Sequence, residues 1–249
     1  MGYFENSLQQ VEKWVPAKTE TSNFYYGITE NNQKDLESLL AAVTGVEVAK
    51  ISDYCRELQT DSALRAHLNF GFLEDQKLSE STVAYGRRIG WFALVRALKP
   101  KLVVETGVSD GVGACVISAA LQLNANEGHP GSYVGTELNP KMGGLFTAPY
   151  SNLGKILWGD SIESLEELEG PIDIFINDSD HSAQYELDEY ITISRKLSSN
   201  GFILGDNSHT NTVLNQFSRD HGRSFVFFRE LPLDHWYPGA GIGLSFPRS

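Results

Sequence analysis

Apolar residues along this 249-residue chain follow two different periods, and the change falls near Pro100. Upstream they recur at three- and four-residue spacing. That predicts helices over Asp35 to Val43 and over Val46 to about Leu68. Ser79-Glu80-Ser81-Thr82 is a helix-start signal. Tyr85, Ile89, Trp91, Phe92, Leu94 and Leu98 follow it before Pro100 ends the run. No strand run occurs in the first 80 residues, so this part cannot make a sheet of its own and should pack against another layer. We divide the chain into a helical segment, 1–80, and an α/β domain, 81–249.

From Lys101 onward short β-branched runs alternate with helical stretches. Leu102 to Glu105, Tyr133 to Thr136, Lys155 to Trp158, Ile172 to Ile176 and Gly201 to Leu204 read as strands. Gly111 to Leu123, Ile162 to Leu168, Ala183 to Leu197 and Asn211 to Asp220 read as helices. Ser224 to Phe228 and Ile242 to Phe246 close the chain as two strands with no clear helix between them, which suits an antiparallel hairpin. Repeated β-α units with continuously apolar strands predict a parallel sheet covered on both faces, a doubly wound, Rossmann-like arrangement.

Composition narrows the function classes. Hydrophobic residues at 41% and charged residues at 21% are ordinary for a folded domain. The formal charge of −12 disfavours a partner gripped through its phosphates, such as nucleic acid, and also an anionic membrane surface. Two distant cysteines, Cys55 and Cys115, make neither a disulfide framework nor a zinc ribbon, so a reducing cytoplasm is expected. No apolar run reaches the ~18 residues of a membrane span, and the N-terminus has no secretory pattern.

The turn between the first strand and the next helix reads Glu105-Thr106-Gly107-Val108-Ser109-Asp110-Gly111-Val112-Gly113. Glycines there let a ligand approach the backbone. Dinucleotide enzymes prefer G-x-G-x-x-G with a diphosphate on the helix. Here an acid closes the strand, which would repel a diphosphate and suit a cationic ligand. This turn resembles the first motif of the class I S-adenosylmethionine (SAM)-dependent methyltransferases. The resemblance covers roughly residues 85–249. It implies a seven-stranded sheet of order 3-2-1-4-5-7-6 with strand 7 antiparallel, and it implies a SAM site. Glu105, Gly107, Ser109, Gly111 and Gly113 would form the loop. Glu137, ending the second strand, would accept from the ribose hydroxyls. Asp160 and Ser161, ending the third, would lie by the adenine, although Asp160 equally suits a plain helix cap.

In that sheet the fourth and fifth strands are neighbours. They end in Asn177-Asp178-Ser179-Asp180-His181-Ser182 and in Gly205-Asp206-Asn207-Ser208-His209. Asp178, Asp206 and Asn207 should then converge as hard oxygen donors for Mg²⁺, or for Ca²⁺ or Mn²⁺. The same three positions resemble the metal ligands of catechol- and caffeoyl-coenzyme A-type O-methyltransferases. The run from Asp178 to Ser182 is similar to rhamnosyl- and cephalosporin-type natural-product enzymes. The chain departs from both, with His181 where the first group has a lysine and Asp206-Asn207 where the second tends to have Glu-Asp.

The activity implied is methyl transfer to a hydroxyl of a small molecule, a sugar or a natural product, with a divalent metal assisting. His181 is the candidate base, with His209 as the spare, and Asp178 is counted both with the cofactor and with the chemistry. Phe24, Tyr25, Tyr26, Pro149-Tyr150-Ser151 and Tyr237-Pro238-Gly239 are candidate pocket borders. Arg87 and Arg88 are candidates to pair with the acidic centre or the cofactor carboxylate. The helical segment also suits a homodimer. Metal-independent N- or O-methylation, a nicotinamide-dependent oxidoreductase and a non-catalytic binder are the competing readings.

Overall fold

Seven short strands make one sheet in a computed structural model of the chain, which describes residues 26–74, 83–206, 208–235 and 237–248 and five positions between 8 and 15. Strands β1 (Leu102–Thr106), β2 (Ser132–Glu137), β3 (Gly154–Trp158), β4 (Ile172–Asn177) and β5 (Leu197–Asp206) pair in parallel. Strands β6 (Arg223–Arg229) and β7 (Gly241–Pro247) follow, and the order across the sheet is β3-β2-β1-β4-β5-β7-β6. Strand β7 is antiparallel to both of its neighbours. This is the expected topology.

Side chains alternate between the two faces, as the pleat requires. Val103, Ile174, Ile176, Phe202 and Leu204 point into one core, and Val104, Phe175 and Ile203 into the other. The second core is closed by α6 (Ser161–Glu167), α7 (Ala183–Ser194) and α8 (Val213–Asp220). The first is closed by α4 (Arg88–Leu98) and α5 (Val112–Asn126). Outside these pack α1 (Glu30–Thr44), α2 (Val48–Thr60) and α3 (Ser62–Glu74). Leu36, Leu40, Ile51 and Leu58 are almost fully buried there. Each such side chain contributes roughly 1.5–3 kcal/mol of transfer free energy. The N-terminal helices therefore share a hydrophobic core with the α/β domain.

Three boundaries differ from the sequence expectation. The run from Val46 to Leu68 is two helices. Asp61 leaves helical geometry at ψ 93°, and its carboxylate accepts from Leu64 N at 2.8 Å, capping α3. Helix α4 begins at Arg88, and Ser79–Thr82 lie outside the described residues. Gly86, at φ +51°, breaks the helix ahead of Arg87, and a Cβ there would lie 3.2 Å from the Tyr26 carbonyl. Strand β5 starts at Leu197, four residues early, because backbone pairing there does not need the apolar side chains that mark a strand in sequence.

Candidate active site

All five parallel strands end on the same edge, and a cavity of about 520 Å³ opens there. It is lined by the ends of β1 (Gly107, Ser109), β2 (Thr136 to Asn139), β3 (Gly159 to Ser161) and β4 (Asp178 to Asp180), with Met142 and with Tyr185 of α7. The parallel register sets these ends side by side, Thr106 opposite both Thr136 and Asn177. Four carboxylates line the cavity, those of Glu137, Asp160, Asp178 and Asp180. Among the described residues no lysine or arginine does.

Gly107 shows why the turn takes glycine. Its φ is +82°, and a Cβ would lie 2.0 Å from the Asp178 carbonyl oxygen, so a side chain would push the β1 and β4 ends apart. Ser109 also has positive φ and donates its backbone N–H to Glu137 Oε2 at 2.8 Å. Glu137 Oε1 accepts from Asn139 N at 2.9 Å. Both oxygens thus stand fixed at the cavity wall, each with a lone pair left for a ligand hydroxyl. Asp160 Oδ1 caps α6, accepting from Ile162 N and Glu163 N, while Oδ2 accepts from Tyr185 OH at 2.9 Å.

Glu105, Gly111 and Gly113 were expected at the ligand and do not line the cavity. Glu105 lies beneath the turn, fully buried, and accepts from Tyr133 OH. Burial pushes its pKa up to about 7. A Cβ on Gly113 would meet the Glu105 carboxylate and Trp91, so this glycine serves helix–strand packing. Gly111, at φ +102°, is pressed against the Phe146 backbone. Glu105 is still within β1, on the same face as Val103, so the pleat turns it into the core.

Asp178 and Asp206 lie against each other. Burial and the facing Asp206 carboxylate raise Asp178 well above the usual carboxylate range. Burial also opposes ionisation of Asp206, but the adjoining Arg87 guanidinium outweighs it and holds Asp206 low. Asp206 is buried, and both of its oxygens are taken by Arg87, Oδ1 by Nε and Oδ2 by Nη2 at 2.5 Å. Arg87 is fixed from behind, donating through Nη1 to Glu230 Oε1 at 3.2 Å and to Tyr26 OH at 3.3 Å. Asn207 lies outside the described residues. Among the described residues no group of three or more His, Cys, Asp or Glu side chains is placed to hold a metal ion. A hard cation needs open carboxylate oxygens, and at Asp206 a guanidinium already holds them. Among the described residues, Asp206 in this arrangement offers Mg²⁺ no open oxygen.

His181 stands beside this pair. Its Nε2 is 3.8 Å from Asp178 Oδ1 and its Nδ1 is 3.7 Å from Glu186 Oε1. Interaction with Glu186 raises its pKa above the ordinary histidine value. Glu186 is itself buried and held by Asn211 Nδ2 at 3.1 Å. Burial and then Arg87 lower His209, which is therefore the poorer base. Of the other candidates, Tyr150 is buried against His67, and Tyr26 is buried between Glu230, His235 and Tyr237. Phe24 and Tyr25 lie outside the described residues.

Sequence reasoning missed the α7 contribution. Glu189 is fully buried and accepts from Thr106 Oγ1 at 2.9 Å, Ser179 Oγ at 2.7 Å, Ser161 Oγ and Asn177 Nδ2. It ties the ends of β1 and β4 to the start of α6. A signal existed, since Glu186, Glu189, Tyr190 and Ile193 make one buried helical stripe in which two acids occupy core positions.

Comparisons with known proteins agree with this fold. Residues 104–208 match the family described as a methyltransferase domain. An O-methyltransferase from Bacillus cereus, solved in complex with SAH, superposes with a TM-score of 0.56 at 16% identity, covering 76% of this chain and 92% of that one. An O-methyltransferase from Streptomyces achromogenes involved in tomaymycin synthesis, solved with SAM, gives 0.55 at 14% identity, covering 76% and 91%. A Podospora anserina methyltransferase, SAH-bound, gives 0.55 at 20% identity, covering 81% and 95%. No curated protein matches the sequence. The matched domain and the sheet order together give the chain the Rossmann-like fold of the class I methyltransferases. No helix among the described residues is long and apolar enough to cross a membrane.

Proposed function

We propose that the protein transfers a methyl group from SAM to a hydroxyl of a small molecule. The observation that carries this reading is the acidic lining of the cavity, the carboxylates of Glu137, Asp160 and Asp180 and the carboxyl of Asp178, with no lysine or arginine among the described residues that line it. Such a wall suits a ligand with an ammonium and a sulfonium, and it repels the diphosphate of a nicotinamide dinucleotide. The volume is within the ~300–1,000 Å³ usual for small-molecule sites. The O-methyltransferases of similar fold support the choice of acceptor atom.

Glu137 would hold the ribose hydroxyls, and Asp160, Ser161 and Tyr185 would border the adenine. Leu138, 76% exposed at the rim, offers an apolar face to the base. SAM, when bound, supplies an electrophilic methyl on sulfur. The protein must supply an oxygen nucleophile, and an alcohol is poor until its proton is removed. His181 accepts that proton at Nε2. Glu186 at Nδ1 orients the ring and favours the imidazolium that results. Alignment of acceptor and methyl by the fixed strand ends contributes much of the remaining acceleration. Mg²⁺ on Asp178, Asp206 and Asn207 is the finer expectation of the sequence, but the engaged oxygens of Asp206 count against it, so no step is assigned to a metal.

The test is transfer of labelled methyl from SAM to a panel of phenols, sugars and polyketide alcohols, beside equal titrations with SAH and NADH. Label in an ether product together with SAH binding is expected. NADH binding without SAH binding would replace this reading with an oxidoreductase.

A further inference from the structure

Two carboxylates at the ends of adjacent parallel strands need a counter-charge. In this fold Asn177 of β4 pairs with Gly205 of β5, so Asp178 and Asp206 leave the sheet side by side. Asp206 is 1% exposed, too buried for water to screen it. The chain supplies the charge itself. The turn at Gly86 delivers Arg87 to the start of α4, and the guanidinium fork matches both Asp206 oxygens. On the far side, Glu230 Oε1 receives Arg87 Nη1, Tyr26 OH and Ala240 N, the last at 3.0 Å. The guanidinium is thus fixed by the helical segment, the β6–β7 connection and the sheet edge together. It carries one positive charge and has no position at which an acceptor oxygen could be ligated.

We propose that Arg87 takes the place of a divalent cation as the counter-charge between these strand ends, leaving acceptor activation to His181, so that methyl transfer needs no metal, and that removing the guanidinium opens a divalent-cation site on Asp178 and Asp206. The first half rests on the methyltransferase reading. The second half concerns binding alone and stands apart from it. A cation must displace Arg87 to reach Asp206, and with Arg87 present it meets a fixed positive charge at the same oxygens. Replacing Arg87 by a neutral side chain of similar length removes both obstacles.

The experiment uses Mn²⁺ as the probe. Wild-type crystals soaked in Mn²⁺ should show no anomalous density within ligand distance of Asp206. In solution, titration followed by electron paramagnetic resonance should show that Arg87→Met gains one Mn²⁺ per chain. That site should be at least about tenfold tighter than anything on the wild type, since a nearby like charge has gone. The added change Asp206→Asn should abolish it. Mn²⁺ seated on Asp206 in the wild type would overturn the proposal, and so would a folded Arg87→Met variant that binds no more tightly than its parent. Should that variant fail to fold, the wild-type crystal still decides. SAH calorimetry on chelator-treated wild type keeps the two readings apart. Lost SAH binding there would sink the methyltransferase assignment, or its metal independence if Mn²⁺ restores it, whatever the Mn²⁺ result with Arg87→Met.

Discussion

Glu105 should make this protein less stable as pH rises through neutrality. Its pKa moves from 4.5 to about 7 because burial penalises the charged carboxylate more than Tyr133 and Arg88 favour it. The folded state therefore holds its proton more tightly than the unfolded state. The stabilisation from that proton is complete below about pH 4.5 and is lost as pH climbs through about 7. A shift of roughly 2.5 units at 1.36 kcal/mol each gives a loss of about 3 kcal/mol between pH 4.5 and about pH 8. Glu105→Gln keeps an oxygen to accept from Tyr133 OH and cannot ionise. Urea unfolding of both proteins across this range should show the stability difference, variant minus wild type, rising by about 3 kcal/mol with pH. Parallel pH profiles would refute the claim that this acid titrates in the core.

Other perturbations separate the remaining roles. Glu189→Ala should orphan donors on Thr106, Ser161, Asn177 and Ser179, costing at least about 2 kcal/mol in thermal or urea unfolding and weakening SAH binding measured by calorimetry. Glu137→Ala should weaken SAH by about tenfold or more, the worth of two charge-assisted bonds to ribose, with little change in melting temperature. His181→Ala should lower kcat by about 10²–10⁴-fold. Because the base must be neutral, wild-type kcat should rise with pH through a limb lying above the ordinary histidine value, and Glu186→Gln should move that limb to lower pH. A limb unmoved in Glu186→Gln would remove Glu186 from its orienting role.

The central strands were legible because they bury both faces and read as apolar runs; Ile172 to Ile176 is the clearest case. Glu137, Asp160 and Asp178 were legible because they end such runs, and strand ends of a parallel sheet share one edge. Specific partners distant in sequence were not. Arg87 was a candidate to pair with the acidic centre, but its exact partner Asp206, 119 positions away, and the Tyr26–Glu230 pair, 204 apart, left no local sign. No local period encodes such pairs. The side of the turn to which Glu105 points was also hidden, because it depends on where the pleat gives way to the loop. The α7 acids were hidden for a different reason. Their one sign is the helical stripe they share with Tyr190 and Ile193, and acids on such a stripe are core residues only once its burial is known.

A crystal structure of the protein with SAH tests the central claim most directly. The ribose hydroxyls should lie on the Glu137 carboxylate, the adenine beside Asp160 and Tyr185, and the sulfur toward Asp178 and His181. A nucleoside bound elsewhere, or a cavity that stays empty at saturating SAH, would contradict it.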